Sequence, residues 1–274
     1  MTRRQHTSSD PSRRGESISP VLPRRYLSPS RIEIAEIEKT PTAATFDSIT
    51  RFYSFVHAKN DEWTTCIPYG CFALKLARLI IQLIAENAFR IGRGGSFDRA
   101  FYRICEKKAA ACGLLDEIGD REIFIIYIKQ CLHILEGAGI LSRKGKHASI
   151  RSFVDDDQTL FPRLLHSFWN ITPWESIFPS DVEAAKDLQE RRSFLKDAIL
   201  MNPGVSRIDR IANTFFDMTG FSSRGNLFTI SFIDFYPLTW LKHFGLLQYI
   251  EGHTYEPVRV ALTKAGSIIL RTLA

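Results

Sequence analysis

Leu132, Leu135, Gly139 and Leu141 recur as Leu238, Leu241, Gly245 and Leu247, each pair separated by 106 positions, so the pattern L-x-x-L-x-x-x-G-x-L occurs twice. Its physics is simple. Two leucines one helical turn apart face a core, glycine supplies a left-handed C-cap, and an apolar strand residue follows at once. Any helix-to-strand junction favours this pattern. Its weight as a sign of duplication therefore depends on the order of elements on either side.

That order also repeats. Phe72, Leu76, Leu79, Ile80, Leu83 and Ile84 recur at three and four residues, which predicts a helix from Phe72 to Arg90, broken by Ile91-Gly92-Arg93-Gly94-Gly95. A second helix is expected from Phe97 to Cys112. A third is expected from about Arg121 to Gly137, with Ile125, Ile128, Leu132 and Leu135 on one stripe. Residues 139–151 read as two short strands around a Lys-Gly-Lys turn. In the other half, Ser180 and Glu183 have capping-box spacing before a helix from about Ala184 to Met201. Ser206 with Asp209 opens the next, a third covers about Ile230 to Phe244, and strands Leu246 to Ile250 and Tyr255 to Leu262 follow. Between the halves, Pro162, Pro173 and Pro179 among aromatics predict an irregular bridge.

The net charge of +6 is carried mainly by the first residues, where Arg3, Arg4, Arg13, Arg14, Arg24, Arg25 and Arg31 face only Asp10 and Glu16. Residues 1–45 combine Ser, Pro, Thr and Arg with few large apolar side chains, which predicts a disordered basic tail. It has no apolar h-region, and Pro20, Pro23 and Pro29 oppose an amphipathic transit helix. The five cysteines lack paired C-x-x-C spacing, so they read as reduced rather than as a disulfide or zinc framework. Leu76 to Ala85 is too short to span a bilayer. A soluble, cytoplasmic chain with no membrane partner is expected.

Val260-Ala261-Leu262-Thr263-Lys264-Ala265-Gly266-Ser267-Ile268-Ile269-Leu270 resembles the end of the wing in winged-helix regulators of the MarR and PadR type, where L-T-x-x-G passes from the second wing strand into a closing helix. Thr263 would be the N-cap of that helix. The resemblance covers residues 190–274 by motif and 70–152 by element order. It implies a mainly α fold with small β-hairpins. Two winged-helix-like domains (46–154 and 181–274), joined by a bridge (155–180), would follow the disordered tail. Such tandems also resemble plasmid replication initiators and accessory subunits of chromosome-condensing complexes, but no diagnostic motif of either is present. The fold alone leaves activity open.

The basic wing is the strongest binding candidate. Arg143, Lys144, Lys146, His147 and Arg151 cluster on the first hairpin, where they would neutralise phosphates. Arg224 and Asn226, in the turn before the last long helix, are the second candidate, although ordinary loop chemistry is the favoured account of them on turn statistics. The first third helix, rich in isoleucine, lacks the Arg, Asn and Gln that read base edges. Glu251 and Glu256 in the second wing would repel phosphate, which suits docking or dimerisation better. Arg90 to Ser96 lacks the G-K-[ST] ending of a phosphate loop, and Asp155-Asp156-Asp157 lacks EF-hand spacing. His133 and His243 fall inside expected helices, and no catalytic or metal-ligand motif is present. The expectation is a non-enzymatic DNA-binding protein without cofactor, regulatory or chromosome-associated, with a protein-docking or homodimeric scaffold as the alternative.

Overall fold

The computed structural model describes residues 65–92, 95–144, 147–178, 181–220, 226–250 and 258–273, the side chains of 144 and 226–229 excepted. The expected basic tail lies outside the described residues. What is described is mainly helical, with two small antiparallel sheets.

In the first half, α1 (Phe72–Glu86) buries Phe72, Leu76, Ile80, Leu83 and Ile84, the stripe its spacing predicts. It ends before Arg90, because Asn87 turns extended and donates from Nδ2 to the Leu83 carbonyl at 3.0 Å. α2 (Arg99–Ala111) starts later than Phe97, because Asp98 is its cap and accepts from the Phe101 amide at 2.9 Å. α3 (Arg121–Gly137) has the expected bounds, with Asp120 accepting from the Glu122 and Ile123 amides. β1 (Leu141–Lys144) and β2 (His147–Ile150) form the expected hairpin, with Leu141 opposite Ile150. Arg90 adds an antiparallel bridge to His147.

The bridge is more regular than its prolines suggest. α4 (Asp157–His166) contains Pro162, a π-helical turn covers Ser167–Ile171, and α5 (Trp174–Ile177) follows. Asp156 caps α4 by accepting from the Thr159 amide, and Phe161, Phe168, Trp169, Trp174 and Phe178 are fully buried. Burying each of these rings is worth about 2–3 kcal/mol, enough to outweigh one missing helical hydrogen bond at Pro162.

The second half departs from expectation in four places. The helix expected from Ala184 to Met201 is broken into α6 (Val182–Glu190) and α7 (Arg192–Leu200) at Arg191. There Gln189 turns to hold the Trp174 amide and the Thr172 carbonyl, and Arg192 reaches Asn170. Asp181 accepts from the Ala184 amide as the cap of α6, the role that spacing assigned to Ser180, which lies outside the described residues. Ser206 lies in β3 (Ser206–Arg207) and caps nothing; α8 (Ile208–Thr219) follows Arg207 without a side-chain cap, and Asp209 pairs with Arg207. The last long helix comprises α9 (Asn226–Ile233), a π-helical turn (Asp234–Leu238) and α10 (Thr239–His243). Pro237 has no N–H for the Ile233 carbonyl, and the Thr239 amide donates to Asp234 in the wider turn. β4 (Leu247–Ile250) and β5 (Arg259–Leu262) form a hairpin with β3 on the outer side of β5. α11 (Lys264–Ile269) closes the chain with a 3₁₀ turn (Leu270–Thr272).

Both halves therefore run helix, short extended contact, helix, long helix, hairpin. In each, the contact pairs with the second hairpin strand, giving the order Arg90·β2·β1 and β3·β5·β4. The repeated junction is one piece of geometry used twice. Gly139 and Gly245 sit at φ +65° and +70°, and the Ile140 and Leu246 amides return to Leu135 and Leu241 carbonyls at 3.0 and 2.9 Å. The Ile140 and Leu246 carbonyls then accept from the Arg151 and Thr263 amides, closing each hairpin base.

One core runs through both halves. Phe168 stacks between Trp174 and Trp240 at centroid distances of 5.7 and 5.8 Å, and Phe161 meets Phe244 edge-on. Phe72 of α1 covers the ring of His243 at 4.4 Å.

Candidate nucleic-acid interface

The expected wing residues have different fates. Arg143, whose side chain is only 16% exposed, donates from Nε and Nη2 to Glu136 and from Nη1 to the Gly95 carbonyl at 2.6 Å. Its fork is spent on α3 and on the loop before α2, so it braces the hairpin and is a poor phosphate ligand. His147 and Arg151 are exposed. The side chains of Lys144 and Asn226, and all of Lys146, Arg224, Glu251 and Glu256, lie outside the described residues.

The structure brings other cations to the first hairpin. Arg90 is exposed; its backbone pairs with His147, and its carbonyl accepts from the Asp98 amide at 3.4 Å, beside the start of α2. From there Arg99, Arg103 and Lys107 follow one another along α2 at i, i+4, i+8, all exposed. Among the described residues, none of Arg90, Arg99, Arg103, Lys107 and Arg151 has a carboxylate within ion-pair distance. On α3, Lys129 is exposed and lies 5.8 Å from the ring centre of Tyr102. The row is legible in the sequence as R-x-x-x-R-x-x-x-K, spread over successive helical turns, whereas the cations of the first hairpin are nearly contiguous.

The isoleucines of α3 also find their reason. Gln130 Nε2 donates to the Ile177 carbonyl of α5 at 3.0 Å, and Gln130 Oε1 accepts from Trp240 Nε1 at 2.7 Å. Tyr127 lies against Trp240 and His243. With α1 and α2 on the remaining side, α3 is a central strut, and only Arg121, Glu122 and Lys129 on it are exposed. A helix held this way does not present a base-reading face.

The other motifs are structural. Asp156 is a helix cap, and Asp157 accepts from Arg78 Nε and Nη2 at 3.1 and 3.0 Å. The glycine turn before α2 closes through the Gly92 amide on the Ser96 carbonyl at 2.8 Å, with 93–94 outside the described residues. Burial pulls His133 down to about 4, with Arg143 reinforcing it, and pulls His243 down to about 3, so both are neutral near pH 7. Cys71 and Cys105 are pushed up by burial to about 11 and 12, which makes them inert thiols. Among the described residues no group of three or more His, Cys, Asp and Glu side chains is placed to hold a metal ion. None of the described helices is long and apolar enough to cross a membrane.

Comparison with family models, curated proteins and solved structures finds no match to this chain.

Proposed function

We propose that the chain is a tandem winged-helix protein that holds nucleic acid by its phosphate backbone, through the basic face of the first repeat. The repeated topology, the paired glycine junctions and the Thr263 cap support the fold reading. The Gly266 amide donates to Thr263 Oγ1 at 2.9 Å, as the L-T-x-x-G resemblance implies. One observation carries the binding reading: Arg99, Arg103 and Lys107 form an exposed row without carboxylate partners among the described residues, running from the Arg90–His147 contact of the first hairpin. Such a row gives affinity without sequence preference, and the covered α3 gives no base readout. A nucleoid- or chromosome-associated protein is the corollary.

The test is fluorescence anisotropy of the full chain on random-sequence duplex across a salt series. Tight binding at low salt is expected, with the triple variant R99A/R103A/R151A weaker and shallower in its salt dependence, by about 0.9 in log–log slope per lost phosphate contact. Absence of low-salt binding, or a variant indistinguishable from the parent, defeats the reading.

The second reading is a homodimeric scaffold. It is favoured by Phe194 of α7 and Met201, the residue that caps its C-terminus seven positions later, which are 41% and 65% exposed, with Val205 exposed just beyond. Sedimentation of the parent and of M201E separates a dimer built on this face from a monomer.

A further inference from the structure

We propose that the recess between α2 and the start of α3 is a phosphomonoester site, seating the terminal phosphate of a bound nucleic acid. The source of the phosphate rests on the nucleic-acid reading above; the chemistry of the recess does not.

The recess has a volume of about 410 Å³ and is lined by Arg103, Glu106, Lys107, Ala110, Leu115 and Arg121. Arg103 and Lys107 lie one turn apart on the exposed side of α2. Arg121, the first residue of α3, is 74% exposed and is tied through Nε to Glu106, whose side chain is only 13% exposed. Glu106 thus fixes the Arg121 guanidinium at the rim and cancels one of three positive charges. Two remain. A diester phosphate carries one negative charge, whereas a phosphomonoester carries about −1.5 to −2 at pH 7, so the recess is matched to the monoester. Exposed Ala110 and half-buried Leu115 complete the lining, and hydrogen bonds from these cations to a phosphate are charge-assisted and so stronger than neutral ones. The Glu122 and Ile123 amides at the tip of α3 are already held by Asp120, so recognition falls to the three cationic side chains.

The experiment uses the full chain and a hairpin DNA with a single free end, carrying either a 5′-phosphate or a 5′-hydroxyl. Adenosine monophosphate and inorganic phosphate are titrated separately. The 5′-phosphate hairpin is expected to bind roughly tenfold more tightly, the worth of one charge-assisted hydrogen bond. K107A/R121A is expected to abolish that ratio. R99A/R151A weakens both hairpins and keeps the ratio, while circular dichroism checks that each variant is folded. Equal binding of the two hairpins by the parent, or a preference that survives K107A/R121A, overturns the proposal. If neither hairpin binds, the nucleic-acid reading fails. In that case, adenosine monophosphate or phosphate binding that is lost in K107A/R121A supports the site with a free phosphomonoester as its source. Absence of binding by any of these probes overturns the site as well.

Discussion

Trp240 donates its indole N–H to the side-chain oxygen of Gln130 at 2.7 Å, across 110 residues of sequence and inside the shared core. Gln130 completes its own hydrogen bonding on the Ile177 carbonyl, so one amide ties α3, α5 and α10 together. Gln130→Ala strands a buried donor and a buried acceptor at once, with an expected loss of about 2–4 kcal/mol. Because the core is continuous, urea unfolding should remain a single transition, seen alike by Trp fluorescence and circular dichroism. Two separated transitions in the parent protein would mean that the halves fold independently.

The same pair shows where sequence reasoning stops. α1 and α3 are legible because their apolar spacing is undiluted, and the glycine junctions are legible because only glycine suits that turn. The aromatic bridge is not, since Pro162 and Pro173 read as breakers while the burial of Phe161, Phe168 and Trp174 that offsets them is a tertiary fact. In the candidate site, residue type was visible and partnership was not. Arg143 looks like a free wing cation until the hairpin folds back and brings it onto Glu136, seven residues earlier.

Arg143 therefore gives a prediction that separates bracing from binding. Arg143→Ala leaves Glu136 partly buried without its partner and the Gly95 carbonyl without its donor, so stability should fall by about 1–3 kcal/mol. The salt slope of nucleic-acid binding should hardly change. Thermal melts and the salt series together decide it; a stable variant with a shallower slope would return Arg143 to the proposed binding face.

Acid should weaken the fold in a particular window. Burial holds His243 at about 3, with Lys242 adding to the effect, and holds His133 and His166 at about 4, all below the ordinary 6.5. The folded state thus binds fewer protons than the unfolded state as pH falls below 6.5. Their stabilisation is complete above that value and is lost progressively as pH falls toward about 4 for His133 and His166 and about 3 for His243. At pH 5 the loss is on the order of 2 kcal/mol for His243 alone, before most carboxylates titrate. Urea midpoints between pH 7 and 5 should slope downward, and His243→Phe should flatten the slope. A slope identical in that variant would place the titration elsewhere.

Gly266 gives the sharpest test of the closing motif. A Cβ at this position would collide with the Leu246 carbonyl oxygen and carbon, both backbone atoms that cannot swing aside. The same carbonyl accepts from the Thr263 amide and from Thr263 Oγ1, at 3.1 and 3.2 Å. The glycine of L-T-x-x-G is thus set by the approach of α11 to the hairpin base, and its conformational freedom is secondary. Gly266→Ala must push α11 outward, loosening Ile269 and Leu270 from the core, with an expected loss of about 2–4 kcal/mol. Thr263→Val, which keeps the volume and removes the cap, should cost about 1 kcal/mol. The order of the two effects in denaturant titrations is the check: a milder Gly266→Ala than Thr263→Val would mean that the cap, and not the close approach, holds the closing helix.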